Sequence, residues 1–514
     1  MNFALNANQW LALAPILIVS ATIMWVMVAI AFRRHHWWNA TVVAVGLNLA
    51  LISATYLVLP QLADQLPGFL QAPILKMLDF FGHPPLPQLV TPLLVIDSYA
   101  AFYMGLVLAA GLATATLTYA YMEGYKGNQE EVYILLALSA LGGLVVVCSR
   151  HFAAFFIGLE LLSLPLYGMI GYLVKERRSL EASIKYLVLS AVGSAFILFG
   201  MALIFAEVGT LDFAQIGHRA ASAAAMSPAR LVLTVGAGLL LVGVAFKLSL
   251  APFHLWTPDV YEGAPAPVAA YLATASKTAV LALLLRYFVE TKAYQYVSLM
   301  NVLTVIAILS IVIGNILALL QDNVKRLLAY SSIAHFGYIL VAFIATGALA
   351  TEAVGMYLLT YVVTTLAAFG VVTLVSSPYG DHDADTLWDY RGLFWRRPNL
   401  AAILTVALLS LAGIPLTAGF IGKFYVIAAG VDHRLWLLMA TVVFGSAVGL
   451  FYYLRAMAQL YLRAPWVRKF SAPLDWAQNT GGLMLLALAF LMLLLGVYPT
   501  PFIAIVQAAG LAGQ

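Results

Sequence analysis

The sequence predicts an all-α polytopic membrane protein with about 14 transmembrane helices, two inverted five-helix repeats, and breaks in helices 7 and 12. Of its 514 residues, 63% are hydrophobic and only 9% are charged, whereas charged residues make up about 25% of a soluble domain. Fourteen windows are long and apolar enough to cross a hydrocarbon core of about 30 Å. Two of these windows contain prolines beside a lysine, which predicts that their helices are interrupted.

The predicted spans follow one another along nearly the whole chain. The first has no basic residue before it and ends at Arg33 and Arg34, which is typical of a retained span rather than a cleaved signal. An even number of spans places both termini on the same side. In order, the windows are 11–32, 40–59, 99–121, 132–149, 152–174, 186–206, 231–251, 268–285, 299–320, 327–345, 353–375, 400–429, 435–462 and 482–505.

The distribution of Lys and Arg predicts the orientation. The loops that follow odd-numbered spans contain about twice as many basic residues as the other loops, and the positive-inside rule then places both termini on the side of the membrane away from the cytoplasm. The Pro-rich loop 61–98 would lie outside. This loop is either a small cap or contact surface, or an inert connector.

We predict four parts of the chain. Residues 1–130 form an N-terminal three-helix part that includes the external loop 61–98. Residues 131–290 form the first antiporter-like repeat, helices 4–8, and residues 291–465 form the second, helices 9–13. Residues 466–514 contain the C-terminal helix 14. Because each repeat has an odd number of helices, the second is inverted relative to the first, and each broken helix is the fourth of its unit.

Five ionisable residues fall inside the predicted spans: Glu160, Lys247, Lys277, Lys423 and Arg455. An ionisable side chain within the bilayer costs roughly 2.5 to 3.5 kcal/mol on insertion scales and marks a pathway or a pair. The best partner for Glu160 is Lys247 or Lys277. The pair is either a static bridge between helices or part of a transport route. Arg455 does not release its proton usefully, so we expect a structural role for it, paired with carbonyls or lipid headgroups.

The lysines are candidate proton carriers. Desolvation favours the neutral form of an amine, so Lys247, Lys277 and Lys423 can exchange protons at neutral pH if they lie in a dry site. His335 would supply an intermediate group between them, although a lone histidine on an apolar helix is as often a hydrogen-bonded core residue. His254, just after Pro252, either extends the route from Lys247 or is an interfacial residue at the helix break.

Charged residues also flank the spans on the predicted cytoplasmic side. Asp259 and Glu262 lie in a Pro-rich segment that we expect to be a loop. They either attract protons to an entry funnel or are solvated turn residues. Lys325 and Arg326 open span ten, and we expect both to extend their charged groups to the cytoplasmic face.

Other function classes lack their signatures. The only cysteine is Cys148, which excludes an intrachain disulfide, a CxxC pair and a cysteine-bound iron–sulfur cluster. Net charge is only +4 and dispersed, so a nucleic-acid partner is not expected. No nucleotide-binding, metalloprotease or Ser/His/Asp motif occurs in a sequence context in which it would function. We therefore expect no metal, no bound cofactor and no redox chemistry on this chain.

Four stretches resemble the antiporter-like membrane subunits of proton-pumping NADH:quinone oxidoreductase, respiratory complex I. The resemblance covers about residues 130–460. Two features restrict the resemblance to one type of antiporter-like subunit. They are Lys423, where some sister subunits have a glutamate, and the motif TPDVYEGAPAPV. The stretches are GLELLSLPLYGMIGY at 158–172, FKLSLAPFHLWTPDVYEGAPAPVAAYLATASK at 246–277, NVKRLLAYSSIAHFGYIL at 323–340 and GIPLTAGFIGKFYV at 413–426.

The resemblance implies a function and partners. Glu160 and Lys247 would be the coupling pair, and Lys277, His335 and Lys423 would continue the channel. The chain would act as a subunit of an H⁺-translocating enzyme. FMN, iron–sulfur clusters and quinone would be bound by partner subunits, and its neighbours would be other antiporter-like subunits and small quinone-side subunits in the lipid bilayer.

Other functions stay open at this point. The main alternative is a subunit of a multisubunit sodium/proton antiporter, which works without a redox partner. A relative that uses a different electron donor is another, since donor choice resides on other chains. A non-transporting scaffold is disfavoured, because an anchor gains nothing from several buried cations.

Overall fold

A computed structural model describes residues 5–63, 71, 76, 84–123, 125, 127–223, 227–376, 383–463 and 476–510. Residues 64–70, 72–75 and 77–83 of the predicted external loop 61–98 therefore lie outside the described residues. The helices are α1 Ala7–Phe32, α2 His36–Ala63, α3 Ser98–Met122, α4 Glu131–Cys148, α5 Phe152–Ile170, α6 Arg177–Val208, α7 Phe213–Ala223, α8 Ser227–Leu248, α9 Trp256–Gly263, α10 Ala266–Glu290, α11 Val297–Leu319, α12 Val324–Ala345, α13 Gly347–Val375, α14 Leu393–Arg396, α15 Pro398–Ala412, α16 Ala418–Asp432, α17 Trp436–Tyr461, α18 Trp476–Val497 and α19 Thr500–Ala508.

The helices confirm the predicted class of fold. Within the described ranges, 13 helices are long and apolar enough to cross a membrane. The remaining predicted window, 400–429, corresponds to the short apolar helix α15, which continues after a break into α16. Helix α6 begins nine residues before its predicted window, so Arg177, Arg178 and Lys185 lie on its first turns rather than in a loop.

Both predicted breaks are present. Helix α8 ends at Leu248 and α9 begins at Trp256, while α15 ends at Ala412 and α16 begins at Ala418. Each break contains a proline and a non-glycine residue in the left-handed region, Ser249 with φ 61° and Leu416 with φ 72°. Proline removes an amide donor and clashes with the preceding turn, so neither helix continues through its break.

The eighth span has an irregularity of its own. Helix α10 widens into a π-helical turn at Leu272–Ser276, directly before Lys277. Such turns are rare and occur mostly as single insertions in α-helices, frequently at functional sites. The π turn changes the direction in which the following side chains leave the helix, and Lys277 is the first of them.

Helix packing supports the division at residues 131–290 and 291–465, which stays a prediction. In the first unit, α4 packs against α5 and α10, and α6 packs against both halves of the broken helix, α8 and α9. In the second unit, α11 packs against α12 and α17, and α13 packs against both halves of the broken helix, α15 and α16. The two units therefore use one packing plan.

Two segments depart from a purely helical chain of spans. Strands β1 Gln88–Thr91 and β2 Leu94–Ile96 form an antiparallel hairpin before α3. Strand β1 lies against α1, and the Gln9 side chain donates to the Leu89 carbonyl. The short helix α7 lies between two predicted spans, and the short helix α19 begins within the last predicted window, 482–505, after α18 has ended at Val497. The described part of the external loop is thus ordered against the N-terminal helices.

The segment around Asp259 is a helix, so the expectation of a loop was wrong. Helix α9 contains Pro258 in its first turn, where a missing amide donor costs nothing because that donor has no partner inside the helix. Arg326 binds both Asp259 and Glu262, at 2.8 and 2.9 Å, and Lys185 binds Asp259 at 2.9 Å. These carboxylates therefore tie α9 to α6 and α12, which leaves little support for a proton-attracting funnel.

The expectation for Lys325 was also wrong. Its side chain is only 2% exposed, and its ammonium lies 2.7 Å from Asp383, which also accepts a hydrogen bond from Tyr121. The same ammonium donates to the Ala264 carbonyl. Because these acceptors lie inside the protein, Lys325 points inward and clamps α12 to the segments around it.

A buried ion pair joins the N-terminal part to the first unit. Arg286, expected in an external loop, lies within α10 and is 1% exposed. Its guanidinium binds both carboxylate oxygens of Asp97, each at 2.8 Å. Burial alone would raise the pKa of Asp97, which precedes α3, but Arg286 and the Ala100 amide hold that pKa below its usual range.

Replacing Asp97 with alanine should destabilise the protein strongly. The change removes the bidentate partner of Arg286, leaves that buried guanidinium with only the longer contact to Glu290 at 3.6 Å, and removes the cap of α3; breaking a buried pair costs about 3–5 kcal/mol. Denaturation of the purified chain in detergent measures the loss. The matched control is Glu131→Gln, which removes the exposed pair with Arg34 and should cost at most about 1 kcal/mol. Equal losses in the two variants would contradict this role for Asp97.

Candidate functional site

Lys247 lies at the end of α8, just before the break. It is 5% exposed, and its ammonium donates to the hydroxyls of Ser163 at 2.9 Å and Ser190 at 2.7 Å. Ser190 also accepts a hydrogen bond from the Tyr167 hydroxyl at 2.9 Å. A buried ammonium is thus held by neutral oxygens from α5 and α6.

Glu160 lies one turn before Ser163 on α5. The spacing of Glu160, Ser163 and Tyr167 places all three on one side of the helix. The carboxylate is near enough to Lys247 to interact with it electrostatically, but the two form no ion pair among the described residues. One carboxylate oxygen of Glu160 is buried without a hydrogen-bond partner in that part of the chain. The sequence therefore placed Glu160 near Lys247 but did not foresee the serines.

Lys277 connects the two units. It is fully buried on α10, and its ammonium donates to the Ser332 hydroxyl of α12 at 2.9 Å. Tyr361 of α13 donates to the same hydroxyl at 2.7 Å. The ammonium also lies 5.0 Å from the centre of the Phe336 ring, an arrangement that stabilises a cation.

His335 lies three residues after Ser332 on α12 and is 5% exposed. Its Nδ1 atom is 2.8 Å from the Tyr357 hydroxyl and its Nε2 atom is 3.1 Å from the Tyr453 hydroxyl. The Tyr453 hydroxyl also bonds to Ser331. Both ring nitrogens are therefore satisfied by groups that can give and accept protons.

Lys423 belongs to the second break. It is 7% exposed on α16, and its ammonium donates to the Ala412 carbonyl at the end of α15, at 2.8 Å. The ammonium lies 5.4 Å from the centre of the Tyr338 ring. Because a broken helix exposes carbonyls that no amide uses, the break itself supplies the acceptor for this lysine.

Helix α12 brings these groups together. Ser332, His335 and Tyr338 are spaced three residues apart, and they contact Lys277, the two tyrosines and Lys423 respectively. The structure thus connects the Lys277, His335 and Lys423 of the sequence prediction through one helix. Lys247 and its serines form a separate group, and no hydrogen bond among the described residues joins that group to Lys277.

A small cavity lies between His335 and the break in α15–α16. Six of its eight lining residues carry a polar side chain. Ser410 lies opposite Thr364 at 3.0 Å and accepts a hydrogen bond from the Gly419 amide. The cavity is small, with room for about one water molecule. Its lining residues are His335, Tyr357, Thr360, Tyr361, Thr364, Ser410, Leu411 and Gly419.

His254 and Arg455 lie apart from this chain of contacts. His254 is in the first break, 5% exposed, and both of its ring nitrogens are buried without a hydrogen-bond partner among the described residues. Its possible part in the relay stays a prediction. Arg455 donates to the Gln321 carbonyl, in line with the structural role expected for it.

Sequence reasoning overlooked the hydroxyl groups. Ser163, Ser190, Ser332, Tyr357 and Tyr453 contact the titratable residues directly. The spacing of Ser163 from Glu160 and of Ser332 from His335 was a usable signal, since three residues is one helical turn. Ser190, Tyr357 and Tyr453 lie in helices that contain none of the predicted relay residues, so only the packing identifies them.

The arrangement suits proton transfer rather than metal or covalent chemistry. No group of three or more His, Cys, Asp or Glu side chains that could hold a metal ion occurs among the described residues. The hydroxyls, the imidazole and the amines can all pass protons between hydrogen-bonded neighbours. Lys247, Lys277 and Lys423 form no ion pair in the described ranges, so a proton on any of them is a buried charge without a direct counter-ion.

The chain is similar to known proteins over most of its length. The model of the family described as NADH:quinone oxidoreductase/Mrp antiporter, TM, matches residues 149–449. A curated relative, NADH-quinone oxidoreductase subunit N from Ectopseudomonas mendocina (strain ymp), is 55% identical over 511 residues, with 98% of this chain and 97% of the relative covered.

Solved structures resemble the whole chain. Respiratory complex I from Thermus thermophilus with bound aureothin contains a chain that matches with a TM-score of 0.75 and 31% identity, covering 94% of this chain and 97% of that one. A chain of the Mrp complex from Dietzia sp. DQ12-45-1b matches with a TM-score of 0.80 and 21% identity, covering 97% of each chain. At that lower identity, the second match shows the fold alone.

Substitution of Gly413 tests whether the second break positions Lys423. An added Cβ at Gly413 would lie 2.7 Å from the Lys423 side chain, so Gly413→Ala should move the ammonium away from the Ala412 carbonyl. The matched control is Gly347→Ala, because Gly347 has nearly the same positive φ, 83° against 84°, and an added Cβ there would meet no atom closer than 4.0 Å.

A high-resolution map of each variant measures the position of Lys423. Both variants should lose stability through backbone strain, by about 1–3 kcal/mol, but only the change at Gly413 should displace the ammonium. An unmoved Lys423 in Gly413→Ala would show that the break does not set its position.

Proposed function

Because the chain belongs to the NADH:quinone oxidoreductase/Mrp antiporter family and is an antiporter-like membrane subunit of complex I, of the subunit N type, we propose that Glu160, Lys247, Lys277, His335 and Lys423 form its proton relay. The complex couples quinone reduction by NADH to proton translocation. The task of this chain is then to move protons, while the redox reaction takes place on other subunits.

One observation carries the proposal. Three buried lysines are held by serine hydroxyls or a carbonyl and form no ion pair among the described residues. A protein that needed only fixed charges would place carboxylates beside them, because an unpaired buried charge is costly. Amines bound to neutral oxygens keep or lose a proton according to small changes in the surrounding charge.

The relay begins at Glu160. Its carboxylate acts on Lys247 through space, so any change of charge near Glu160 alters how strongly Lys247 holds its proton. When that hold weakens, the proton leaves towards Lys277 and then to His335 through the Ser332 turn of α12. His335 exchanges it with Tyr357 or Tyr453, and Lys423 receives it at the second break. His254 is a further candidate for the route near Lys247.

The energy must come from the partner subunits. Moving one charge against the membrane potential costs about 2.3 kcal/mol per 100 mV, and this chain carries out no exergonic reaction of its own in the proposal. Quinone chemistry elsewhere in the complex would change the electrostatics at Glu160. FMN, iron–sulfur clusters and quinone belong to those partners, and neighbouring antiporter-like and small quinone-side subunits would contact this chain.

The location follows from the same proposal. We place the chain in a bacterial inner membrane with both termini on the periplasmic side, because the larger number of basic residues then faces the cytoplasm. The second antiporter-like unit would receive protons from the first across the contact between Lys277 and Ser332, which joins α10 to α12.

A sodium/proton antiporter subunit remains the second candidate function. The similarity of fold to the Mrp complex favours it, but the identity to a complex I subunit is far higher, 55% against 21%. Sodium-dependent exchange by vesicles that contain the chain and receive no NADH would support this alternative.

Replacing Lys247 with arginine should abolish the contribution of this chain to pumping. The change keeps the positive charge, but a guanidinium does not release its proton at neutral pH. The assay is the number of protons moved per NADH oxidised, measured in vesicles that contain the whole complex. The control is Arg455→Lys, which preserves a cation bound to a carbonyl outside the relay and should pump normally. Near-normal pumping by Lys247→Arg would mean that charge alone suffices.

Ser190 should position Lys247 through its hydroxyl. Hydrogen bonds to charged groups contribute about 1.5–3 kcal/mol, so Ser190→Ala should slow pumping by about tenfold or more, and Ser190→Thr should restore most of the rate. Ser194 lies one turn further on α6, is buried, and has no hydrogen-bond partner among the described residues.

Ser194→Ala is therefore the matched control and should leave the pumping rate unchanged. If Ser190→Thr were as slow as Ser190→Ala, or Ser194→Ala as slow as both, the serine would matter for helix packing rather than for the lysine.

A further inference from the structure

A cluster of arginines and tryptophans lies outside the relay, where α13 is followed by α14 and α15. It consists of Trp388, Arg391, Trp395, Arg396 and Arg463, which we call the Arg–Trp cluster. Helix α14 contributes Trp395 and Arg396, and Arg463 follows the end of α17. The cluster therefore sits at helix ends, the level at which a membrane protein meets lipid headgroups.

Two arginine–tryptophan pairs lie in neighbouring segments. The Arg391 guanidinium lies 4.9 Å from the centre of the Trp388 ring, and that of Arg463 lies 5.4 Å from the Trp395 ring. Arg396 donates to the Arg391 carbonyl at 3.4 Å. Because Trp395 also bonds to the Tyr461 carbonyl, the segment of Trp388–Arg396 adjoins that of Arg463.

Backbone contacts hold this surface in place. The Gly392 amide donates to the Gln459 carbonyl at 3.1 Å, which ties the segment to α17. Gly392 has a φ of 70°, a conformation that glycine adopts without strain. The Trp395 ring is fixed by a hydrogen bond to the Tyr461 carbonyl at 3.0 Å. The cluster is therefore preorganised rather than a set of loose surface side chains.

The arginines of the cluster lack ion-pair partners within the described part of the chain. Arg391, Arg396 and Arg463 form no ion pair there, whereas Arg34, Arg178 and Arg326 each bind a carboxylate. Asp389 interacts electrostatically with Arg396, but its carboxylate accepts from the amide and hydroxyl of Thr386 instead of pairing with an arginine.

An unsatisfied donor points to a ligand with oxygen acceptors. The Nε atom of Arg391 is buried and has no hydrogen-bond partner among the described residues. Guanidinium groups match phosphate oxygens in geometry and charge. An acceptor at this position would complete the hydrogen bonding of Arg391 and neutralise its neighbours.

The exposed tryptophans indicate where that acceptor comes from. Trp388 is 60% exposed and Trp395 is 59% exposed, and both stand beside the arginines at the ends of membrane helices. Tryptophan favours the boundary between acyl chains and headgroups, and basic pockets there bind anionic lipid headgroups. A free phosphate ion would gain nothing from two exposed indole rings.

We propose that the Arg–Trp cluster is a binding site for the phosphate headgroup of an anionic membrane phospholipid. Arg391, Arg396 and Arg463 bind the phosphate oxygens, and the two indoles lie against the glycerol and upper acyl chains. The site does not depend on the proton relay, so either proposal can fail alone.

A photoreactive phosphatidylglycerol with its diazirine next to the headgroup tests the site. The intact complex is placed in phosphatidylcholine nanodiscs that contain this lipid, irradiated and digested, and the cross-linked peptides are identified by mass spectrometry. Cross-links should map to residues 388–396 and 459–463. A phosphatidylcholine bearing the same diazirine should label these segments much less, and millimolar inorganic phosphate should not compete.

Variants make the test specific. Arg463→Gln should reduce the labelling about fivefold, since each basic residue at an anionic surface contributes a factor of that order. Arg463 is exposed and packs on the Trp395 ring, so this variant should fold. Arg391→Gln should reduce the labelling further. The matched control is Arg33→Gln, which removes an exposed arginine at the end of α1 and should leave the labelling of the cluster unchanged.

Three results would overturn the proposal. Equal labelling in Arg463→Gln and Arg33→Gln would mean that only net charge attracts the lipid. Loss of labelling on addition of inorganic phosphate would make the ligand a free ion. Absence of labelling at residues 388–396 and 459–463 in the intact complex would mean that no anionic lipid occupies the surface, as expected if a neighbouring subunit covers it.

Discussion

The cost of a buried positive charge is the constraint on which the rest of this structure depends. Lys247, Lys277 and Lys423 sit inside a bundle whose surroundings are almost entirely apolar, where an ammonium ion without a counter-ion loses several kcal/mol of hydration. The protein offsets only part of this loss, with hydroxyls and one carbonyl. The part of the lost hydration free energy that is not offset makes the protonation of each lysine sensitive to nearby charges. Elsewhere, as at Arg286 with Asp97 or Lys325 with Asp383, the same chain supplies full counter-ions, and those cations are fixed.

The irregular parts of the backbone serve this arrangement. The break after Ala412 frees the carbonyl that accepts from Lys423, the break after Leu248 follows directly on Lys247, and the π turn in α10 precedes Lys277. In a bilayer, backbone groups outside regular helices must be satisfied within the protein, so such interruptions are tolerated where polar side chains or water take their place. Each of these three interruptions lies beside a lysine. At the second break the freed carbonyl and the lysine satisfy each other, whereas Lys247 and Lys277 are bound by serine hydroxyls of neighbouring helices.

The sequence predicted the spans, both breaks and the titratable residues, because length, hydrophobicity, proline and isolated charge are local properties. It did not predict the serines around Lys247, the inward turn of Lys325 or the helical form of the segment around Asp259, because these depend on which helices become neighbours. Ser190 is 57 residues from Lys247 along the chain, and Asp383 is 58 residues from Lys325. Hydroxyls in apolar helices are common, so only packing separates those that bind a lysine from those that bond to their own backbone.

The central claim is that these amines are connected and exchange protons. The most direct test is a cryo-electron microscopy map of the complex at a resolution that shows ordered water. The account predicts ordered water that bridges the Ser163–Lys247–Ser190 group to Lys277. It also predicts ordered water in the cavity between His335 and the break at Ala412. Close apolar packing between Lys247 and Lys277, with no room for water in either redox state of the complex, would contradict it.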